Sequence, residues 1–197
     1  MQTIDPYQII NAFYPDDTPL KRLLVKHSTQ VCDKALAILA LPPNRERGLD
    51  RETVRIGALL HDLGIVRCHA PGIFCTGELP YLAHGIAGAE MLRQYGRTHG
   101  LDLERFARIA ERHTGSGLTR AEIEAAGLPL PPRDFMPETP EEKLVCLADK
   151  FYSKSGDMRE KSLDRVRKSM AKFGSEPLAR FDRLCRFFHC PETADFF

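Results

Sequence analysis

Capping side chains and prolines cut this chain into helix-length segments, and that punctuation constrains its fold more than any other feature. Asp5-Pro6 and Thr18-Pro19 each place a side-chain acceptor before a proline suited to the first helical position. The second opens a long segment in which Leu20, Leu24, Val31, Ala35 and Ile38 recur at helical spacing, with His27 on the same stripe. Leu41-Pro42-Pro43 ends it. Asp50 caps the next segment, which carries Val54, Ala58 and Leu59 and stops near Gly64. Residues 65–80, with Pro71, Gly72, Gly77 and Pro80, read as irregular. A helix from about Leu82 to Arg97 follows, its inner face formed by His84, Ala87, Gly88, Met91 and Tyr95.

Asp102 caps another segment, with Leu103, Phe106, Ala110 and His113 on one face. Thr119 and Glu122 have the spacing of a capping box, and Gly127 suits the stop. Thr139-Pro140-Glu141-Glu142 joins a capping box to a proline start, in a helix expected to reach about Tyr152 and to carry Asp149. Two amphipathic segments finish the chain, one with Leu163, Val166, Met170 and Phe173, the other with Leu178, Phe181, Leu184 and Phe188. Phe187 joins these aromatics as core packing or an oligomer face, and Phe196 and Phe197 read as frayed. No strand alternation and no fixed repeat appear, so the expectation is an all-α, single compact bundle. The loops at 65–80 and 127–139 are the longest, and long loops in compact domains often carry function.

Composition excludes several classes. A chain of 197 residues that is 43% hydrophobic can bury a core as one domain. Lys and Arg total 28 against 27 Asp and Glu, so no basic field favours nucleic acid and no nucleic-acid-binding surface is expected. No apolar run is long enough to cross a bilayer, and MQTIDPYQII lacks the form of a signal peptide, so a cytoplasmic location is expected. Cysteines 32, 68, 75, 146, 185 and 190 then read as reduced thiols. Cys185, His189 and Cys190 form the closest local cluster, but structural zinc draws on two spaced ligand pairs. His99 and His189 look incidental.

The chemistry falls on the buried faces. His27, the doublet His61-Asp62, His84, His113 and Asp149 place ligand-type side chains on five helices, all turned inward. A lone histidine on an apolar face is usually a hydrogen-bonded core residue, and a carboxylate at a helix end is usually a cap or a solvated charge. Burying four histidines and two aspartates together is costly, and metal binding compensates for it most simply.

His27, His61-Asp62 and Asp149 match the ligand signature of the HD-domain superfamily of metal-dependent phosphohydrolases, and the resemblance covers roughly residues 18–155. His84 in AHGIAGAE and His113 in AERHTGSG add two histidines that resemble the binuclear branch, which includes diadenosine tetraphosphate hydrolases. GALLHDLG, HGIAGAEML and the stretch from ERHTGSG to VCLADK are similar to a small group of stand-alone HD proteins of archaea and bacteria. The chain lacks a GYP motif, which argues against a cyclic-di-GMP role, and has Ile65 where many HD sequences carry Lys, with Arg67 nearby. The resemblance implies an HD domain at 18–155, with helical extensions at 1–17 and 156–197, the latter packed on the same domain.

It further implies hydrolysis of a phosphoester or phosphoanhydride, with a nucleotide the expected small substrate, by a metal-bound hydroxide. His27, His61, Asp62 and Asp149 would hold one ion; Asp62, as a bridge, with His84 and His113 would hold a second, about 4 Å away. The mixed donor set suits iron or manganese, with zinc, nickel or magnesium as alternatives. His61 and Asp62 carry the catalytic assignment, with His69 as proton donor. Arg67, Arg112, Arg133 and Lys150 are the candidate substrate-binding cations, each weighed against a solvated surface charge. Two other readings stay open: a non-catalytic HD module that senses a nucleotide or metal, and an iron-dependent HD oxygenase. A homo-oligomer is compatible with all three.

Overall fold

In the computed structural model, residues 4–190 are described; Phe196 and Phe197, read above as frayed, lie outside them. Ten α-helices are found among the described residues: α1 Pro6–Phe13, α2 Pro19–Leu39, α3 Pro42–Arg45, α4 Arg51–Leu60, α5 His84–His99, α6 Glu104–Arg112, α7 Arg120–Ala125, α8 Pro140–Asp149, α9 Leu163–Ala171 and α10 Ser175–Phe187. The capping chemistry acts as the sequence implies. Asp5 accepts from Tyr7 N, Thr18 from Lys21 N and Asp50 from Glu52 N. Thr119 and Glu122 close a full capping box on α7. At α8 only half of the expected box forms: Thr139 accepts from Glu142 N, but the Glu142 carboxylate turns to Glu138 N and Arg108 instead.

Four features differ from the sequence reading. Pro42-Pro43 ends α2 and also begins the one-turn α3. The 65–80 segment is ordered, not irregular: β1 Cys68–Ala70 pairs antiparallel with β2 Cys75–Thr76 and parallel with β3 Leu79–Pro80. Strands of two or three residues are too short to show alternation, and Phe74, at φ 65°, supplies the left-handed residue that turns the chain between them. Helix α8 stops at Asp149, short of Tyr152. Phe173, placed by its spacing on the α9 stripe, lies past the helix end and is 73% exposed.

Two apolar clusters make the core, and the ligand-type residues lie where they meet. Leu20, Leu23 and Leu24 of α2 pack in the first cluster with Ile56, Leu60, Phe106 and Met91. Val31, Ala35 and Ile38 of the same helix pack in the second with Val54, Ala58, Leu147 and Phe151. His27 falls between these two stretches of α2 and is fully buried. Val166, Met170, Phe181 and Phe188 join the second cluster, so α9 and α10 share the core of the helices before them.

Close backbone approach fixes how α4, α5 and α6 meet. A Cβ on Gly64, just past α4, would lie 2.1 Å from His84 O and 2.3 Å from Gly88 N. A Cβ on Gly85 would lie 2.5 Å from Ala110 O of α6. Only glycine permits such contacts. The Tyr14 hydroxyl pins the same turn, donating to Leu63 O at 2.8 Å and accepting from Val66 N at 3.1 Å. Among the described residues no helix is long and apolar enough to cross a membrane.

Candidate metal centre

Five helices deliver their ligand residues at one place. His27 comes from the middle of α2, His61 caps the end of α4 with Asp62 next to it, His84 opens α5, His113 caps the end of α6, and Asp149 ends α8. Helix ends suit this role, because a side chain there can turn into the core while its backbone leaves the helix. All six residues are buried. Two groups of ligand atoms form, each lying within 4.8 Å of one another: His27, His61, Asp62 and Asp149 in one, Asp62, His84 and His113 in the other. Asp62 belongs to both.

Asp62 divides its two oxygens between the groups. Oδ2 lies 3.1 Å from His27 Nε2 and 3.0 Å from His61 Nε2. Oδ1 lies 3.4 Å from both His84 Nε2 and His113 Nε2. Asp149 Oδ1 completes the first group, 3.0 Å from His27 Nε2 and 3.5 Å from His61 Nε2.

The backbone orients three of the four rings. His61 Nδ1 is 2.6 Å from Ala58 O, His84 Nδ1 is 2.7 Å from Tyr81 O, and His113 Nδ1 is 2.7 Å from Ala110 O. A carbonyl only accepts, so Nδ1 carries a proton and Nε2 is the nitrogen turned to the cluster, able to offer a lone pair whenever the ring is neutral. This is the arrangement of a metal-ligating imidazole.

The donor atoms then fit a cation and little else. His84 Nε2 and His113 Nε2 sit 3.0 Å apart. Burial, with the neighbouring His113 adding to it, pushes His84 down to about 3, and burial also lowers His113. Both rings are therefore neutral near pH 7 and their lone pairs face each other, which an electrophile between them and Asp62 resolves. Asp62 Oδ1 and His61 Nε2 are buried with no hydrogen-bond partner.

Electrostatics keep the carboxylates ionised. Burial would raise Asp62, but His61, Lys154, His113 and His27 outweigh it and hold the carboxyl well below its ordinary range. Asp149 is likewise held low against burial, chiefly by Lys150. Burial would depress His61, yet Asp62 and Asp149 push it up to about 9.

The remaining sequence candidates scatter. Lys150 reaches the centre, with Nζ 2.7 Å from Asp149 Oδ2 and donating to His113 O at 3.1 Å. Arg112 is engaged elsewhere, by Glu138, Glu142 and Met136 O. Arg133 pairs with Glu111 at 2.7 Å and lies over the Phe135 ring. Arg67 and His69 are exposed beside and on β1, and His69 is in neither ligand group. Among the described residues the Cys185–His189–Cys190 stretch forms no third group, and His189 is exposed. Among the described residues the cysteines are free.

Sequence reasoning missed Lys154 and Tyr81. Lys154 Nζ lies 2.6 Å from Asp62 Oδ2, and the Tyr81 ring stacks on His84 with centroids 4.8 Å apart. Neither lies on a long amphipathic helix, so no periodicity marked them; the one signal available was a second lysine four residues beyond Lys150.

The fold and centre define a predominantly helical protein built around buried histidines and aspartates that could hold metal ions. The chain belongs to the HD domain family, whose model matches residues 24–153 and so spans both groups, from His27 to Asp149. An uncharacterized protein of Methanocaldococcus jannaschii is 40% identical over 126 residues, 64% of each chain. A tRNA (cytidine(56)-2'-O)-methyltransferase of Picrophilus torridus is 37% identical over 131 residues, covering 66% of this chain and 32% of its own. The enzyme of the same name from Thermoplasma volcanium is 32% identical over 163 residues, covering 81% and 41%. The chain thus spans less than two thirds of the length of each of these relatives. The HD domain of the L. monocytogenes phosphodiesterase PgpH superimposes with a TM-score of 0.48 at 17% identity, covering 88% of this chain and 98% of that one.

Proposed function

We propose that this chain is a metal-dependent phosphohydrolase that cleaves a phosphoester or phosphoanhydride of a nucleotide. The observation that carries the reading is Asp62, shared between two ligand groups, with the neutral His84 and His113 presenting facing lone pairs to its Oδ1. His27, His61, Asp62 and Asp149 would hold one divalent ion and Asp62, His84 and His113 a second, with iron or manganese suited to the mixed donors. Ions bound there supply Lewis acidity toward a phosphate oxygen and acidify water for attack on phosphorus.

The protein's own residues do the remaining work. The carbonyls of Ala58, Tyr81 and Ala110 fix three imidazoles, and Lys150 holds Asp149 in place. Lys150 and the exposed Arg67 are assigned to phosphate contact, and His69 on β1 to proton donation to the leaving group. We place the HD unit at 18–155, with extensions on either side. The tRNA chemistry named for two relatives belongs to chains of which this one covers less than half, and a net charge of +1 offers no field for RNA.

The test is a panel of nucleoside phosphates, dinucleoside polyphosphates and phosphodiesters, offered to protein loaded anaerobically with iron or manganese. Release of phosphate or nucleoside phosphate that requires the metal and is lost in Asp62→Ala is expected. A fully loaded protein that cleaves nothing in the panel would favour the sensor reading.

A further inference from the structure

The segment between α8 and α9 is built to hold one ammonium over the ligand groups. Gln30 of α2 donates to Met158 O at 2.9 Å, and Lys34 of α2 pairs with Glu160. The Tyr152 hydroxyl donates to Glu160 at 3.0 Å, and Lys161 Nζ donates to the carbonyls of Lys150 and Tyr152. This strap carries Lys154, whose side chain is only 12% exposed and whose Nζ lies 2.6 Å from Asp62 Oδ2. The same ammonium is 5.9 Å from the centroid of Tyr81, the ring stacked on His84. It therefore sits beside both groups at once.

Its partner there is Asp62 Oδ2, held at ion-pair distance. That oxygen also faces His27 and His61, so an ion held there and the ammonium compete for it. The lysine stem is long and its segment is not helical, so Nζ can turn to a ligand without leaving the site. Charge then selects the ligand. The two carboxylates of the centre are balanced by Lys150 and Lys154, and the imidazoles add nothing as neutral ligands. The charge of two divalent ions is left without a protein counter-charge, and an anion with several charges must supply it.

We propose that Lys154 is a phosphate-binding residue of this site, and that the site takes a phosphate group with at least two negative charges, a terminal phosphomonoester or polyphosphate, in preference to a singly charged internal phosphodiester. This deepens the hydrolase reading above and rests on it.

The test is calorimetric titration of manganese-loaded protein at pH 8 with inorganic phosphate, a dianion there, and with dimethyl phosphate, a monoanion. Bound manganese is counted in the same samples. Lys154→Met is expected to keep its manganese while binding inorganic phosphate about tenfold more weakly or worse, the scale of a lost charge-assisted hydrogen bond. Lys154→Arg keeps most of the affinity, and the wild type binds dimethyl phosphate at least about tenfold more weakly than inorganic phosphate. If Lys154→Met melts too early to titrate, Lys154→Gln is read in its place. Unchanged phosphate affinity in a manganese-replete neutral variant overturns the proposal, as does equal binding of the two anions by wild type. Loss of manganese in the variant also overturns it, making Lys154 a positioning residue for Asp62. A wild type that takes up neither manganese nor, anaerobically, iron refutes the hydrolase reading itself, a failure distinct from these.

Discussion

Replacing Gly64 with alanine tests whether the second ligand group depends on how closely α5 approaches the turn after Asp62. The new methyl would meet backbone on three sides, 2.1 Å from His84 O, 2.3 Å from Gly88 N and 2.9 Å from Gly88 Cα. No side chain can swing away to relieve this, so the first turn of α5 must retreat by roughly 1 Å to reach ordinary van der Waals separation. His84 is the first residue of that turn, and metal ligands tolerate only about 0.2 Å of error. Overpacking of this kind costs about 3 kcal/mol, which in a chain of this size lowers Tm by about 6–12 °C. The assay is manganese content by equilibrium dialysis alongside a thermal melt. The expected result is a folded protein that keeps the ion at His27, His61, Asp62 and Asp149 and loses the one at His84 and His113. Gly64→Ala with full manganese content and an unchanged Tm would refute the packing argument.

Three further outcomes follow from the same geometry. Asp62→Ala should lose both ions, because each ligand group includes this residue, and metal analysis of the purified variant checks it. His61 is raised from 6.5 to about 9, so in chelator-treated protein its charged form contributes stability that is complete below about pH 6.5 and lost as pH rises toward 9. A ligating imidazole must give up that proton, so manganese affinity should rise with pH over the same window, with proton release visible by calorimetry in buffers of different ionisation enthalpy. Arg112→Ala removes the hydrogen bond to Met136 O and the pair with Glu138 while Arg108 still holds Glu142, and should cost about 1 kcal/mol by denaturant unfolding, with manganese content unchanged.

The helical scaffold and the residues that cluster at the centre could be read from the chain because both leave local marks. Thr18-Pro19, Asp50 and Thr119 announce helix starts through their own hydrogen bonds, and His27 interrupts an apolar stripe that the core then buries. The small sheet was hidden, because two- and three-residue strands among Pro71, Gly72, Gly77 and Pro80 carry no period. Arg112 and Arg133 looked available because their partners Glu142, Glu138 and Glu111 lie elsewhere in the sequence, and only the packing of α6, α8 and the 127–139 loop brings them together. Lys154 was hidden for a related reason. Its reach to Asp62, 92 positions earlier, depends on a strap tied to α2 by Gln30 and Lys34.

The central claim is that Asp62 joins two metal sites, and counting manganese in two proteins tests it most directly. Wild-type protein, stripped with chelator and dialysed anaerobically against manganese, should bind two equivalents, and His84→Ala should bind one while keeping its fold. One equivalent in both proteins would contradict the account and leave His84 and His113 as core or substrate-contacting histidines.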